Sequence, residues 1–297
     1  MINSPDVGGT NGGTSKGRFD RPILIVSTPR SGSTLLFETL EQAPGLYTTG
    51  NESHGLIESV PGLSPMDHGW NSNRLVADDA TPQAVERLAA GFLHCLTDRN
   101  GRPPEGRFRM LEKTPKNALR VPFFNTAFPD AMFVFLYRDA RQTLSSMIEA
   151  WLSGRFRTYP KLEGWPGYPW SLLLVPGWRD LGGQALPQVV ANQWAITMNQ
   201  LLDDLEAIPG DRLRAVHYEQ FLESPNNVIP SLAASLDLHW DRPLGKALPL
   251  SKTTVSRPDK EKWRQIEDVI KAVLPIIADA DRRAHAFIER LNRKNIA

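Results

Sequence analysis

Apolar positions along the chain alternate between short unbroken runs and longer stretches in which they recur every three or four residues. The first pattern marks strands buried on both faces, the second helices with one apolar stripe. Residues 22–26 (PILIV) predict a central strand. Leu36 and Leu40, one turn apart, predict a helix after it that Pro44 and Gly45 close. Residues 47–79 are polar and Gly-rich, predicting a loop with one short helix. Thr81 and Pro82 then make an N-cap and first helical position, with Val85, Leu88, Ala89, Phe92 and Leu96 at helical spacing behind them. Residues 109–112 predict a short strand and 131–137 (AMFVFLY) the clearest one, followed by a helix with Leu144, Met147, Ile148, Trp151 and Leu152 on one face. Beyond lie a long amphipathic helix over 189–205, a strand over 213–218 and a helix over 225–236. An irregular stretch over 243–260 leads into a last helix from Glu261, kinked at Pro275.

Strands alternating with helices predict an α/β fold in three layers, a parallel sheet with helices on both faces. Residues 155–187 break the alternation with Tyr159-Pro160, Trp165-Pro166, Tyr168-Pro169 and Gly177-Trp178. That composition predicts an ordered aromatic segment, either a lid that stacks on an acceptor or a loop packed down on its own rings.

Composition narrows the function classes. Among 297 residues, 34 Lys and Arg face 33 Asp and Glu, a net charge of +1, which disfavours a nucleic-acid partner. The single cysteine, Cys95, excludes an internal disulfide framework and zinc-finger spacing, and its position in a helical pattern predicts a packing role. No apolar run approaches the roughly 18 residues of a membrane span, and the first twenty residues lack a secretory apolar stretch. The expectation is a flexible tail over 1–20, a single domain over 21–297 and a cytosolic protein.

The strand over 22–26 runs into Ser27-Thr-Pro-Arg-Ser-Gly-Ser-Thr34 and then a helix, the arrangement that makes an anion site from converging backbone N–H groups and the helix dipole. Arg30 adds fixed charge, Gly32 close backbone approach, Ser31 a polar turn position, and Ser33 and Thr34 hydroxyl donors. The loop lacks the Lys of G-x-x-x-x-G-K-[ST], which disfavours ATP or GTP chemistry, and no G-x-G-x-x-G supports NAD. Farther on, Arg138 ends a strand where ligands bind in open α/β sheets, with Ser146 about two helical turns along. Together they can clamp a phosphate, or Arg138 can form a surface pair with Asp139.

VSTPRSGSTLL resembles the 5′-phosphosulfate loop of sulfotransferases that use 3′-phosphoadenosine 5′-phosphosulfate (PAPS), in the branch shared by bacterial and tyrosylprotein sulfotransferases. The resemblance implies a P-loop-like fold and a sulfuryl transfer from PAPS, leaving PAP, without a metal. It implies that Arg138 and Ser146 hold the 3′-phosphate and that Tyr218, in HYEQFLESP, approaches the nucleotide. In LSKTTVSRPDKEKW it implies further contacts from Ser256 and Arg257. The R-K-G motif of the family's cytosolic branch is missing, and a further Arg of the tyrosylprotein branch falls at Ala150, so the resemblance assigns the 3′-phosphate shell only in part. Glu52, in TTGNESHGL, resembles the catalytic Glu of that branch, with His54 the rival base. Lys113, in LEKTPKN, matches the K-x-P segment and, with Arg30, would meet charge developing on the sulfuryl oxygens. The implied acceptor is a hydroxyl of a small molecule, sugar or lipid. A magnesium-dependent kinase with a degenerate loop and a non-catalytic nucleotide-binding module are the alternatives.

Overall fold

The sheet is built on the two apolar runs. In this computed structural model, which describes residues 14–245, 248–252, 254–255 and 259–294, strands β1 (Ile23–Val26), β2 (Leu46–Tyr47), β3 (Arg109–Lys113), β4 (Met132–Tyr137) and β7 (Leu213–His217) form one parallel sheet in the order β2-β3-β1-β4-β7. Every residue of β1 and β4 is buried because alternate side chains enter opposite cores. Leu24, Val26, Phe133 and Phe135 join one core, and Ile23, Ile25, Met132 and Val134 the other.

Helices α1 (Ser33–Leu40) and α8 (Pro225–Ser235) cover the second core. Helices α3 (Pro82–Cys95), α4 (Val121–Ala127), α5 (Ala140–Ser153), α6 (Leu186–Glu206) and α9 (Glu267–Lys294) cover the first. The three-layer P-loop-like α/β architecture is therefore the observed one. Two short helices, α2 (His54–Glu58) and α7 (Tyr218–Glu223), lie at the carboxyl ends of the strands.

Local chemistry explains the boundaries. The Thr81 hydroxyl accepts from the Ala84 N–H at 3.2 Å and caps α3. Asp139 caps α5 the same way, accepting from the Gln142 N–H at 3.1 Å, and left-handed Gly154 ends that helix.

Several expectations change. Helix α1 stops at Leu40, ahead of Pro44, and strand β2 was hidden by its two-residue length. The last long helix begins at Glu267, after a 3-10 turn over Lys262–Ile266, rather than at Glu261, and it holds Pro275 within it. Cys95 is exposed at the end of α3 rather than packed, because the apolar stripe of that helix is carried by Val85, Leu88 and Phe92. The expected tail boundary at residue 20 falls inside packed structure. Phe19 is buried against Phe108 with ring centroids 4.9 Å apart, and the Ser15 N–H donates to Glu86 at 2.7 Å.

The 155–187 segment holds a two-stranded antiparallel hairpin, β5 (Arg157–Tyr159) and β6 (Trp170–Ser171). Trp170 and Trp178 are fully buried, their ring centroids 5.9 Å apart, and Trp170 lies 5.3 Å from Trp151 of α5. These indoles pack the segment down. Among the described residues no helix is long and apolar enough to cross a membrane.

Candidate active site

The carboxyl ends of β1, β3, β4 and β7 deliver their following residues to one cavity of about 510 Å³, the place where open α/β sheets bind ligands. After β1 the chain turns through two left-handed residues, Arg30 at φ 66° and Gly32 at φ 90°, before α1 begins at Ser33. Such a turn directs successive N–H groups to one side, and the helix dipole adds to their field. Arg30, Gly32, Ser33 and Thr34 line the cavity. Ser31 does not. Its hydroxyl is buried beneath the loop, 2.8 Å from that of Thr28, so its side chain braces the turn.

Arg138 and Ser146 line the same cavity with Arg30 between them. The Arg30 Nε donates to Ser146 Oγ at 3.3 Å, and an Arg138 N–H donates to the Arg30 carbonyl at 3.1 Å. The Arg30 guanidinium lies 4.7 Å over the Phe156 ring and that of Arg138 4.7 Å over Tyr218. Burial lowers the pKa of both guanidinium groups, and their mutual repulsion adds to it at Arg30. Arg138 Nε is buried with no hydrogen-bond partner among the described residues. Two crowded, desolvated cations with a donor unspent are the electrostatic signature of an anion site.

At the other end, Glu52 precedes α2 and receives the Lys113 ammonium at 2.9 Å. Lys113 also donates to Thr34 Oγ1 at 3.1 Å, joining the Gly32 turn to the carboxylate. Its side chain is 2% exposed, and its ammonium sits just behind the cavity wall on Glu52 and Thr34. His54 Nδ1 is 3.7 Å from the second Glu52 oxygen. Burial, then the nearby Lys116, lowers the His54 pKa and favours the neutral ring. Behind Glu52, Ser53 donates to Glu112 at 2.6 Å, and burial raises the pKa of that carboxyl.

The structure thus gathers Arg30, Gly32, Ser33, Thr34, Glu52, Arg138, Ser146 and Tyr218 around one space, with Lys113 one layer back. Ser256 and Arg257 lie outside the described residues. Residues that the motifs left unmarked also line the cavity. Glu149, three positions past Ser146 on the same helix, pairs with Lys262 at 2.6 Å, and helical spacing alone could have flagged it. Arg155, Phe156 and Tyr159 arrive on the hairpin, and Lys262 and Trp263 from the segment before α9; no spacing rule links them to the loop.

The model of the sulfotransferase family matches residues 22–167, which hold the Gly32 turn, Glu52, Lys113, Arg138 and Ser146. This match and the relatives that follow support a place in the sulfotransferase family. A putative protein-tyrosine sulfotransferase of Caenorhabditis briggsae is 23% identical over 224 residues, 75% of this chain and 68% of the relative. Protein-tyrosine sulfotransferase A of Caenorhabditis elegans is 22% identical over 276 residues, 87% of this chain and 64% of the relative. The solved sulfotransferase of Alicyclobacillus acidocaldarius superposes with a TM-score of 0.51 at 17% identity, over 91% of this chain and 96% of that one, and shares the fold.

Proposed function

We propose that this sulfotransferase moves a sulfuryl group from PAPS to a hydroxyl of a small molecule, carbohydrate or lipid, with Glu52 as general base. The observation that carries the reading is the pairing of two unlike ends in one cavity. A cationic end holds Arg30, Ser146 and the unspent Arg138 Nε, and a carboxylate stands at the other on Lys113. The residues fit the donor: the Gly32 turn suits its 5′-phosphosulfate, Arg138 and Ser146 its 3′-phosphate, and Tyr218 its base.

PAPS supplies an activated sulfuryl group on an anhydride oxygen. The bond from sulfur to that oxygen breaks as a bond to the acceptor oxygen forms, in line, through a loose state with charge on the outer oxygens. The acceptor's proton passes to Glu52. Arg30 and the α1 N-terminus face the oxygen that takes up charge as PAP leaves, and Lys113 stabilises the transfer from behind Thr34. The hairpin carrying Phe156 and Tyr159 is the candidate wall for the acceptor, a lid role that falls to these residues and not to the buried indoles. The named relatives act on protein tyrosine, which makes a phenol a second acceptor class. A lone cysteine suits a reducing compartment, and the reading places the reaction in the cytosol.

The test incubates the protein with sulfur-labelled PAPS and a phenol, a sugar and a sterol, and follows the label. Transfer to one of them, lost in Glu52→Gln, is the expected result. If millimolar PAP neither binds nor raises the melting temperature, the reading fails.

A further inference from the structure

Lys116 lines the cavity near Glu52, Arg120 is buried behind it, and one carboxylate holds both cations. Glu58 Oε1 accepts from Lys116 at 2.8 Å, from Arg120 at 2.6 Å and from Asn73 at 3.3 Å, while Oε2 accepts from Lys116 at 3.1 Å. Arg120 is fully buried and Lys116 nearly so, a placement tolerated because the carboxylate is there to meet them. Glu58 itself lines the cavity, though its oxygens are turned to these partners.

Glu58 is the last residue of α2, and Glu52 lies just before that helix. The two carboxylates are therefore the outer rungs of a ladder between residues 52–58 and 112–120. Glu52 meets Lys113 at 2.9 Å, the Ser53 N–H donates to Thr114 Oγ1 at 2.9 Å, and Glu58 meets Lys116 and Arg120. The same clamp reaches the hairpin. Arg120 Nε donates to the Asn73 carbonyl at 3.1 Å, and the Asn73 amide donates to the Tyr159 hydroxyl at 2.6 Å and accepts from the Leu174 N–H at 2.6 Å. The Lys116 ammonium lies 5.0 Å over the Tyr159 ring.

We propose that Glu58 is a positioning residue for the transfer, fixing the turn that aims Glu52 and locking the hairpin wall of the acceptor end against it. What the clamp serves rests on the sulfotransferase reading; the clamp itself does not. Loss of Glu58 would leave two desolvated cations without the one carboxylate that both touch and release α2, moving the base while the Gly32 turn and Arg138 stay in place. A displacement of that kind costs a reaction far more than it costs ground-state binding.

The experiment compares wild type with Glu58→Gln, Glu58→Asp and Lys116→Met, using full-length protein, amide hydrogen exchange, PAP titration and release of labelled sulfate from PAPS with water as the acceptor. In Glu58→Gln, the Ser53, Ile57 and Leu174 amides should exchange about tenfold faster while α1 amides are unchanged. Sulfate release should fall on the order of ten- to a hundredfold, with PAP affinity within about twofold of wild type. Glu58→Asp should restore part of the rate. Lys116→Met, which leaves Glu58 on Arg120, should show a smaller effect of the same sign and covers the case in which Glu58→Gln does not fold. Wild-type exchange and sulfate release in Glu58→Gln and Lys116→Met would overturn the proposal, as would a loss of PAP affinity equal to the loss of rate. If wild-type protein fails to bind PAP, the sulfotransferase reading falls and the exchange data alone decide whether the clamp exists.

Discussion

The ring of Tyr218 lies against Gly32 so closely that a Cβ at residue 32 would stand 2.1 Å from Tyr218 Cε2. The contact joins the turn after β1 to the first residue of α7, and it explains why only glycine fits there. At φ 90° any side chain is strained, on the order of 1–3 kcal/mol, and here the ring also blocks it. Gly32→Ala should therefore displace Tyr218 or the turn and abolish PAP binding, read as loss of the thermal shift that PAP produces in wild type. Retention of that shift would show that the turn is not the phosphosulfate site.

Arg138 should dominate cofactor affinity. If its buried Nε, without a partner among the described residues, donates to a phosphate, Arg138→Ala should weaken PAP binding by about 10- to 100-fold, and Ser146→Ala by less, since its hydroxyl shares the Arg30 Nε. Isothermal titration measures both. Chelation of divalent ions should leave the PAP affinity unchanged; the degenerate-kinase alternative predicts instead ATP binding that depends on magnesium and tolerates Arg138→Ala.

Glu52→Gln keeps the shape of the side chain and removes its basicity. It should lower kcat by about 10²–10⁴-fold with PAP affinity nearly unchanged, as measured by label transfer and titration. His54→Asn should cost less, because the ring is set to one side of the Glu52 carboxylate. Equal losses from the two variants would make the pair, rather than Glu52, the base.

The Glu58 clamp has a pH signature. Burial acts to raise the Glu58 pKa, but Lys116 and Arg120 outweigh it and hold the carboxyl below its ordinary value of 4.5. A depressed carboxylate contributes stability that is fully present above its unfolded value and lost as pH falls through the folded one. Wild type should lose stability below about pH 4.5 more steeply than Glu58→Gln, which has no such proton to take up. Denaturant midpoints across that range measure the difference.

Trp170 should matter for stability rather than for the acceptor. Its indole is fully buried, donates to the Leu173 carbonyl at 2.9 Å and touches Trp151, Trp165 and Trp178. Trp170→Ala should cost about 3–5 kcal/mol, seen as a lower denaturant midpoint. Phe156→Ala should leave stability nearly unchanged and alter the acceptor KM.

Much of this was legible in residue order. The runs at 22–26 and 131–137 are apolar throughout, which only a strand between two cores requires, and β1 and β4 lie there. The Arg30–Thr34 turn and the Arg138–Ser146 pair could be located because each spans one strand end and one helix start. Lys113 and Ser31 were legible as residues but not as positions. Whether a side chain faces the cavity or braces its wall depends on neighbours such as Thr28 and Glu52, far away in one dimension or hidden in a turn. The 155–187 indoles could be seen as ordered, but which of them pack and which residues line the cavity depended on α5 and α6.

Residue order alone carries the alternation of strands and helices, the polar Gly32 turn between a strand and a helix, and the resemblance to sulfotransferases, because these depend on periodicity and on spacings within about one strand and one helix. Folding alone stands Glu52 on Lys113, lets Glu58 hold Lys116 and Arg120 together, and brings Lys262 back to Glu149. Those pairs are separated by dozens of residues, and charges attract across that distance only after the sheet has brought their strand ends together and removed the water between them.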